Sequence, residues 1–562
     1  MEGSQQHMRH GGRAHRGEGK RPESRGITHA TSTRRPALLV VAMLAALTFA
    51  TTGCEVGPVG SMGVSSGANM GATAGGAQDL SYARSAIERG EVPEADWILT
   101  EGLFSEHDLS LEGAPAEHLL SLNLGSGVVR DASGQGHYIV QVGMSSNIQP
   151  DQFKRPPLNI SLVLDLSGSM DGDKIAAARR AASTIVRQMT AEDVLSIVTF
   201  NQDSRVLVSA RNVEDDRAFE KAISSIEASG STNMEAGLRD GIAQVSRNLD
   251  LKSHEHRVIL ITDALPNTGR HHEDDFLRLT ENASAKGIGL TAFGVGMDFG
   301  ISLATSISNI RGGNCRFLRN ASDLGKVFDE EFETLMTPLA YDLRLEMRAA
   351  PGFRITAVHG VPGWNRGDSL ASAEVKSVFV SKRGGAIAFE LARISDGFEP
   401  AARRGTPVDI ANVSLKYSEI TGKNVSQQGT ATLPEDAETS DAWFSHGGVA
   451  KTAALAFACE GMRRACDTFH SGNRIEALDH LSGLPELIEK AANRTNDSNL
   501  AKEANLVVKL RAAIERQTGQ ATRWDNQRRD DSDFRARARE SVPSKAEERR
   551  EMPSSVGRAV RW

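Results

Sequence analysis

Residues 158–170 read LNISLVLDLSGSM, and this stretch decides how the middle of the chain folds. The run Leu158–Leu166 is almost wholly apolar, which is typical of a strand buried on both faces of a parallel sheet. Apolar residues then recur at helical spacing, at Ile175, Ala178, Ala182, Ile185, Val186 and Met189. The turn between strand and helix has the spacing D-x-S-x-S, and open α/β sheets bind ligands at such turns.

The alternation of apolar strands and amphipathic helices continues through residues 156–337. Further strands are predicted at Val194–Asn201, Arg205–Ala210 (an edge strand), Arg257–Gly269 (running into a turn), Ile288–Gly296 and Cys315–Leu318. Helices are predicted at Asp215–Ile226, Asn233–Leu249, Glu273–Lys286, Ser302–Asn309 and Ser322–Leu335. Strands that alternate with helices of this length predict an α/β domain with a doubly wound, mostly parallel sheet.

The first 53 residues have the layout of a secretory signal peptide, with a basic region before an apolar run that ends in small residues. The apolar run Ala37–Gly53 has no charge and is 17 residues long, which is the short limit for a membrane span. The segment TTGC at 51–54 resembles a bacterial lipobox. The resemblance implies that Cys54 is acylated and anchors the protein to the outer face of a membrane of the bacterial cell envelope. An uncleaved anchor and plain secretion are the alternatives.

Two segments separate this leader from the α/β domain. Residues 54–80 are rich in Gly, Ser, Ala and Met, a composition that predicts a flexible tether. Residues 81–155 are predicted to form a small β-rich lead-in, because His137–Ser146 alternates in the way of a half-buried strand. A short helix is predicted at Asp79–Gly90.

Three segments follow the α/β domain. Residues 338–440 change to a period of two, which predicts a β-sandwich-like module. Residues 441–518 carry Ala- and Leu-rich helical patterns that predict two or three packed helices. The tail 519–562 mixes Arg with Asp and Glu and holds few apolar residues, so we expect it to be disordered.

Charge and cysteine content exclude several classes of function. The net charge is -7, and it becomes -12 without the basic residues 1–36, so a nucleic-acid partner is not expected. Cys315 is predicted to be a buried free thiol. Cys459 and Cys466 lie on one predicted helix about 10 Å apart, beyond disulfide reach. No spacing of Cys and His is typical of a zinc site.

Three separated motifs place oxygen-bearing side chains at strand ends or helix starts. They are DLSGSM with Asp165, Ser167 and Ser169, then SGSTNMEAGL with Thr232, and then ITDALPNTG with Asp263. Carboxylates and hydroxyls are the ligands of a hard cation such as Mg²⁺, with Mn²⁺ or Ca²⁺ as alternatives. A purely local alternative is that the serines cap the following helix. Asn233 and Asn267 fit either an outer-shell position or a plain turn.

The three motifs resemble those of the von Willebrand factor A-type domain, a resemblance that covers about a third of the chain. In that family the five side chains form the metal-ion-dependent adhesion site (MIDAS), so the resemblance implies that Asp165, Ser167, Ser169, Thr232 and Asp263 are metal ligands, directly or through water. The whole arrangement also resembles bacterial lipid-anchored proteins with an A-type domain before a β-module and, more distantly, secreted inhibitor heavy chains. Both resemblances imply adhesion or assembly and no enzyme activity.

These observations predict a membrane-anchored, extracytoplasmic protein-binding module. Mg²⁺ requires six oxygens and releases water reluctantly, so five side chains leave a position that an Asp or Glu of a protein partner can fill. Two other hypotheses remain open. In the first, the metal is purely structural and the protein is an assembly factor. In the second, Ser167 or Ser169 is the nucleophile of a serine hydrolase, although the local pattern is not G-x-S-x-G and the base would have to be His254, His256 or His271.

Overall fold

The computed structural model describes residues 70–75, 80–111, 117–130, 134–264, 273–298, 306–307, 309–318, 323–361, 364–394 and 406–518. All of them lie in one compact unit, Ser65–Trp562. The predicted signal peptide, the lipobox with Cys54, most of the predicted tether and the predicted tail 519–562 lie outside the described residues. Among the helices of the described ranges, none combines the length and the apolar character needed to cross a membrane.

The strands in these ranges, numbered along the chain, are β1 Gly71–Ala74, β2 Ser121–Arg130, β3 Gly136–Ser145, β4 Leu158–Asp165, β5 Val194–Phe200, β6 Ser204–Asn212, β7 Glu255–Ala264, β8 Ile288–Asp298, β9 Gly313–Leu318, β10 Pro338–Ala349, β11 Phe353–His359, β12 Trp364–Arg366, β13 Leu370–Ser381, β14 Gly385–Arg393, β15 Val408–Glu419, β16 Asn424–Leu433 and β17 Ala442–Phe444. The helices are α1 Ser81–Glu88, α2 Thr100–Ser105, α3 Asp173–Gln188, α4 Arg217–Ser224, α5 Met234–Ser246, α6 Glu273–Ser284, α7 Asp323–Leu335, α8 Gly447–His470, α9 Arg474–Asp479, α10 Leu484–Thr495 and α11 Ser498–Thr518. Short 3₁₀ turns lie at Ala95–Trp97, Gly168–Met170 and Glu435–Thr439.

Strands β4 to β9 form a six-stranded sheet in the described ranges, in the order β6-β5-β4-β7-β8-β9. Only β6 runs antiparallel to its neighbour, and it lies at an edge as predicted. The doubly wound, mostly parallel sheet is therefore confirmed. The predicted helix at Ser302–Asn309 falls largely outside the described residues.

Strand β4 is central because both of its faces are covered, which is the reason its sequence is apolar throughout. All eight of its residues are buried. Leu162 and Leu164 belong to the core on the side of α3 and α7, whereas Val163 belongs to the core on the side of α5. A strand fixed on both faces holds the turn that follows it in one position.

The second layer is a large antiparallel sheet of eleven strands in the described ranges. Its hydrogen-bonded path is β11-β14-β3-β1-β13-β10-β15-β16, with β2 beside β3, β17 beside β2 and β12 beside β13. Strand β16 also meets β2, where the N–H of Leu122 donates to Gln427 Oε1 at 2.9 Å. The segment predicted as a separate lead-in therefore contributes β2 and β3 to the same sheet as residues 338–440.

The prediction of a flexible tether is wrong for residues 70–75. Strand β1 pairs antiparallel with β13 in register from Gly71 opposite Ser381 to Ala74 opposite Val378, and it contacts β3 on its other side. A Cβ on Gly71 would lie 2.0 Å from the carbonyl oxygen of Arg383. The small residues that indicated flexibility thus allow a strand to enter a crowded position between two others.

The carboxyl-terminal helices form a third layer that packs on the antiparallel sheet and on α1 and α2. Helix α8 contributes more residues than any other helix to a core that includes Leu455 and Met462. Where two or three helices were predicted, the described residues contain four, α8 to α11. Gly483, with φ 76°, separates α9 from α10, and Pro485 stands in the first turn of α10.

The predicted state of the cysteines is confirmed for the three that the structure describes. Cys315, Cys459 and Cys466 are buried, and none of them forms a disulfide. Burial raises the pKa of the Cys459 and Cys466 thiols to about 12. Both are therefore unreactive thiols that pack as small apolar residues.

A buried carboxylate, Glu390, gives a prediction about acid stability. Its carboxylate lies 3.1 Å from His137 Nδ1 and 3.8 Å from His359 Nε2. Burial by itself raises the pKa of Glu390, but the two imidazoles outweigh it and lower the pKa from 4.5 to about 2. Because the folded-state pKa is depressed, the stabilisation is complete above pH 4.5 and is lost as the pH falls towards 2.

The free energy of unfolding of the wild type should fall between pH 5 and pH 2.5. We expect this fall to be smaller in Glu390→Gln, by about 2–3 kcal/mol. Urea unfolding at several pH values measures this difference. Glu374→Gln, an exposed carboxylate on β13, is the control and should follow the wild-type curve. Identical pH dependence of the wild type and Glu390→Gln would contradict the prediction.

Candidate metal centre

The first motif forms the turn at the carboxyl end of β4. Asp165 is the last residue of the strand and is fully buried. The backbone N–H of Ser167 donates to Asp165 Oδ1 at 2.7 Å, which curls the chain back over the strand end. A 3₁₀ turn, Gly168–Met170, then leads into α3. Neither the 3₁₀ turn nor α3 has a side-chain N-cap, so the local capping alternative for Ser167 and Ser169 is not observed.

The third motif meets the first because β4 and β7 are parallel neighbours in register. Leu164 lies opposite Ile261, which brings Thr262 and Asp263 beside the end of β4. Thr262 Oγ1 donates to Asp165 Oδ2 at 2.5 Å. Ser169 Oγ donates to Asp263 Oδ1 at 2.8 Å and lies 3.1 Å from Ser167 Oγ. Two carboxylates and two serine hydroxyls from distant parts of the sequence therefore form one connected group.

The second motif borders this group through its backbone. The N–H of Gly168 donates to the carbonyl of Gly230 at 2.9 Å, and the N–H of Ser229 donates to the carbonyl of Leu166 at 2.6 Å. Gly230 has φ +84°, a conformation that favours glycine. Thr232, two residues further on, is 1% exposed. All three motifs thus meet at one edge of the sheet.

Asn233 and Asn267 were each predicted to occupy either a plain turn or an outer-shell position of the metal site, and their outcomes differ. Asn233 is the N-cap of α5, since its side-chain oxygen accepts from the N–H of Ala236 at 3.2 Å. Its amide nitrogen donates to the carbonyl of Gln202 at 3.2 Å. Asn267 lies outside the described residues.

The carboxylates are buried, whereas Ser169 is exposed at the surface. Burial raises the pKa of Asp165, and the charge of Asp263 acts in the same direction, against the hydrogen bonds from Thr262 and Ser167. A cation would stabilise two carboxylates that converge out of water, because buried like charges repel each other and lose their hydration.

Lys174 supplies one positive charge, and the sequence reasoning missed it. Its Nζ lies 2.5 Å from Asp263 Oδ2, and its side chain is 30% exposed while that of Asp263 is fully buried. The signal available in the sequence was a Lys at the start of the helix that follows the D-x-S-x-S turn. Helical spacing alone does not show that this residue points towards a strand 89 residues away.

Comparison with known families decides the identity of this part of the chain. The family model of the von Willebrand factor type A domain matches residues 159–330. These residues form a von Willebrand factor type A domain. Domains of this family typically mediate protein–protein interaction and commonly bind a divalent metal at the MIDAS.

Curated relatives match part of the chain. The chain is 27% identical over 248 residues to the uncharacterized protein sll0103 of Synechocystis sp., a match that covers 44% of this chain and 55% of that protein. It is 28% identical over 200 residues to the inter-alpha-trypsin inhibitor heavy chain H3 of Rattus norvegicus, covering 34% of this chain and 22% of that protein. The match therefore spans about half or less of these relatives.

Solved structures that the chain resembles include a von Willebrand factor type A protein from Catenulispora acidiphila. That chain is 17% identical, with a TM-score of 0.45, and the match covers 71% of this chain and 98% of the other. Another is proximal thread matrix protein 1 of the mussel byssus with a zinc-occupied MIDAS motif. It is 18% identical, with a TM-score of 0.27, and covers 31% of this chain and 47% of the other.

The donor set of the A domain fits a hard divalent cation. In the described residues, no group of three or more His, Cys, Asp or Glu side chains is placed to hold a metal. The motif edge instead offers the carboxylates of Asp165 and Asp263 and the hydroxyls of Ser167 and Ser169, with Thr232 on the bordering segment. Oxygen ligands with two negative charges match Mg²⁺, Mn²⁺ or Ca²⁺.

The same geometry bears on the serine hydrolase hypothesis. His254 and His256 lie at the amino end of β7, where His254 Nε2 contacts the carbonyl of Glu192 at 2.9 Å. Seven residues of extended strand, about 23 Å, separate His256 from Asp263. Neither imidazole is therefore within reach of the Ser169 hydroxyl, which already donates to Asp263. His271 lies outside the described residues.

Proposed function

We propose that this protein is a metal-dependent protein-binding module of the bacterial cell envelope, which captures an acidic residue of a partner protein through a divalent cation at the A domain. The observation that carries the proposal is the hydrogen-bonded group of Asp165, Ser167, Ser169 and Asp263 at the carboxyl edge of the sheet. Thr232 completes the proposed ligand set. Mg²⁺ is the expected ion, with Mn²⁺ and Ca²⁺ as alternatives.

The chemistry of the group supports binding at its exposed side. A bound divalent cation supplies a Lewis-acidic centre that attracts a carboxylate. The chain's own residues hold the buried side: Asp165 is fixed by Thr262 and by the N–H of Ser167, and Asp263 is fixed by Ser169. Ser169 is exposed, so an incoming acidic side chain approaches from solvent without displacing the core.

Attachment to the outer face of a membrane is part of the proposal, and it rests on the sequence. The apolar run 37–53 and the TTGC segment support acylation at Cys54. A lipid anchor holds the A domain outside the cytoplasm, where protein partners of the envelope and divalent cations are both present.

Selection from a displayed random peptide library in the presence of Mn²⁺ tests the binding function. We expect the selected peptides to carry Asp or Glu, to lose binding when that residue is changed to Asn or Gln, and to be released by EDTA. Recovery after Mg²⁺ is restored separates metal removal from denaturation. Selected peptides without an acidic residue, or binding that survives EDTA while EDTA lowers the melting temperature, would contradict the proposal and favour a purely structural metal.

A further inference from the structure

Both oxygens of the Asp263 carboxylate are engaged in this structure. Oδ1 accepts from Ser169 Oγ at 2.8 Å, and Oδ2 lies 2.5 Å from Lys174 Nζ. A serine hydroxyl can keep its place and turn a lone pair towards a cation, so the Ser169 contact is compatible with metal binding. An ammonium has three donors and no lone pair, so Lys174 cannot itself be a ligand, and its positive charge opposes a cation at the same carboxylate.

The position of Lys174 in its helix gives no local reason for a positive charge. It is the second residue of α3, and the positive end of a helix dipole disfavours a cation there. Asp171 and Asp173, its acidic neighbours in sequence, are exposed. The ion pair with the buried Asp263 carboxylate therefore explains the orientation of the Lys174 side chain.

From these contacts we propose that Lys174 is a tethered cation that competes with the divalent ion for Asp263 and sets the concentration at which the A domain is loaded. The inference rests on the proposed metal-dependent function. Without a divalent cation, the ammonium neutralises Asp263. When the ion arrives, the ammonium has to withdraw because two positive charges at one carboxylate repel each other. The side chain is 30% exposed and flexible, so it has a path to solvent.

Competition predicts that removing the ammonium tightens metal binding. We expect Lys174→Met to bind Mn²⁺ about 10-fold more tightly than the wild type, because the ion no longer displaces a positive charge. We also expect its melting temperature in EDTA to fall below that of the wild type, because Asp263 is then buried without a counterion. Saturating Mn²⁺ should therefore raise the melting temperature of Lys174→Met by more than it raises that of the wild type.

Calorimetric titration of the full chain with MnCl₂, together with thermal unfolding in EDTA and in Mn²⁺, tests the inference. Arg180→Met removes an exposed cation from the same helix, so it matches the change in net charge and should retain wild-type affinity. Lys174→Arg keeps the charge and should show no tightening. If Lys174→Met and the wild type bind Mn²⁺ equally, or the variant binds more weakly, the competition inference is wrong and the proposed function is untouched. If neither protein binds Mn²⁺, both fail.

Discussion

Replacing Asp165 by asparagine is expected to abolish divalent-cation binding by the A domain, with a loss of affinity greater than about 100-fold. Substitution of outer-shell partners alone costs roughly 10- to 100-fold in other metal sites, and Asp165 contributes one of only two carboxylates in the group. The fold should survive. The asparagine oxygen can accept from the N–H of Ser167, and the hydroxyl of Thr262 can turn to accept from the new amide.

The same variant should be at least as stable as the wild type in EDTA. Burial raises the pKa of Asp165, so folding carries a desolvation cost for this carboxylate that asparagine does not have. Calorimetry with MnCl₂ and thermal unfolding in EDTA measure the two effects. Asp171→Asn, an exposed carboxylate in the adjoining turn, should bind like the wild type. Wild-type affinity in Asp165→Asn would remove Asp165 from the ligand set.

Arg257→Ala should lower the free energy of unfolding by about 3–5 kcal/mol, the usual cost of removing one partner of a buried ion pair. Arg257 is fully buried at the amino end of β7. Its guanidinium donates to the carbonyl of Gly312 at 2.8 Å and pairs with Glu255 at 2.9 Å. It also lies 5.1 Å from the centre of the Phe379 ring on β13. The substitution therefore leaves Glu255 without its cationic partner and removes the contact between Arg257 and Phe379 that joins the two sheets.

Urea unfolding of Arg257→Ala against Arg217→Ala measures this cost. Arg217 pairs with Asp215 at 2.8 Å, but its side chain is 87% exposed, so its loss should leave the free energy of unfolding almost unchanged. The two variants delete the same side chain from ion pairs of similar length. Equal losses of unfolding free energy in the two variants would show that burial does not determine how much Arg257 contributes to stability.

The sequence was most informative where a pattern is local and strongly periodic. Strand β4 was predicted at Leu158–Leu166 and observed at Leu158–Asp165, because a strand covered on both faces has to be apolar throughout. The sequence was least informative where small residues allow two opposite outcomes. Residues 71–74 resemble a linker in composition, yet they form β1 between β3 and β13, where a Cβ on Gly71 would lie 2.0 Å from the carbonyl oxygen of Arg383.

The residues of the candidate site likewise differ in how well the sequence predicted them. Asp165, Ser167, Ser169 and Asp263 were predictable because each lies at a recognisable strand end or helix start, and parallel neighbours bring such ends to one edge. Asn233 fitted either an outer-shell position or a plain turn, and only the contact with Ala236 shows that it is the N-cap of α5. Arg257 gave no sequence signal, because a single Arg at the start of an apolar strand is more often solvent-exposed.

The sequence by itself determined the α/β class, the edge at which the site lies and four hydrogen-bonded members of that site, because hydrophobic periods and turn residues act over a few neighbours. Only the tertiary structure decided that β1, β2 and β3 join the strands of residues 338–440 in one sheet. Only it placed Lys174 on Asp263 and Arg257 beneath Phe379. These contacts join residues dozens to hundreds of positions apart, and their partners are selected by packing and by the neutralisation of buried charge, neither of which has a period along the chain.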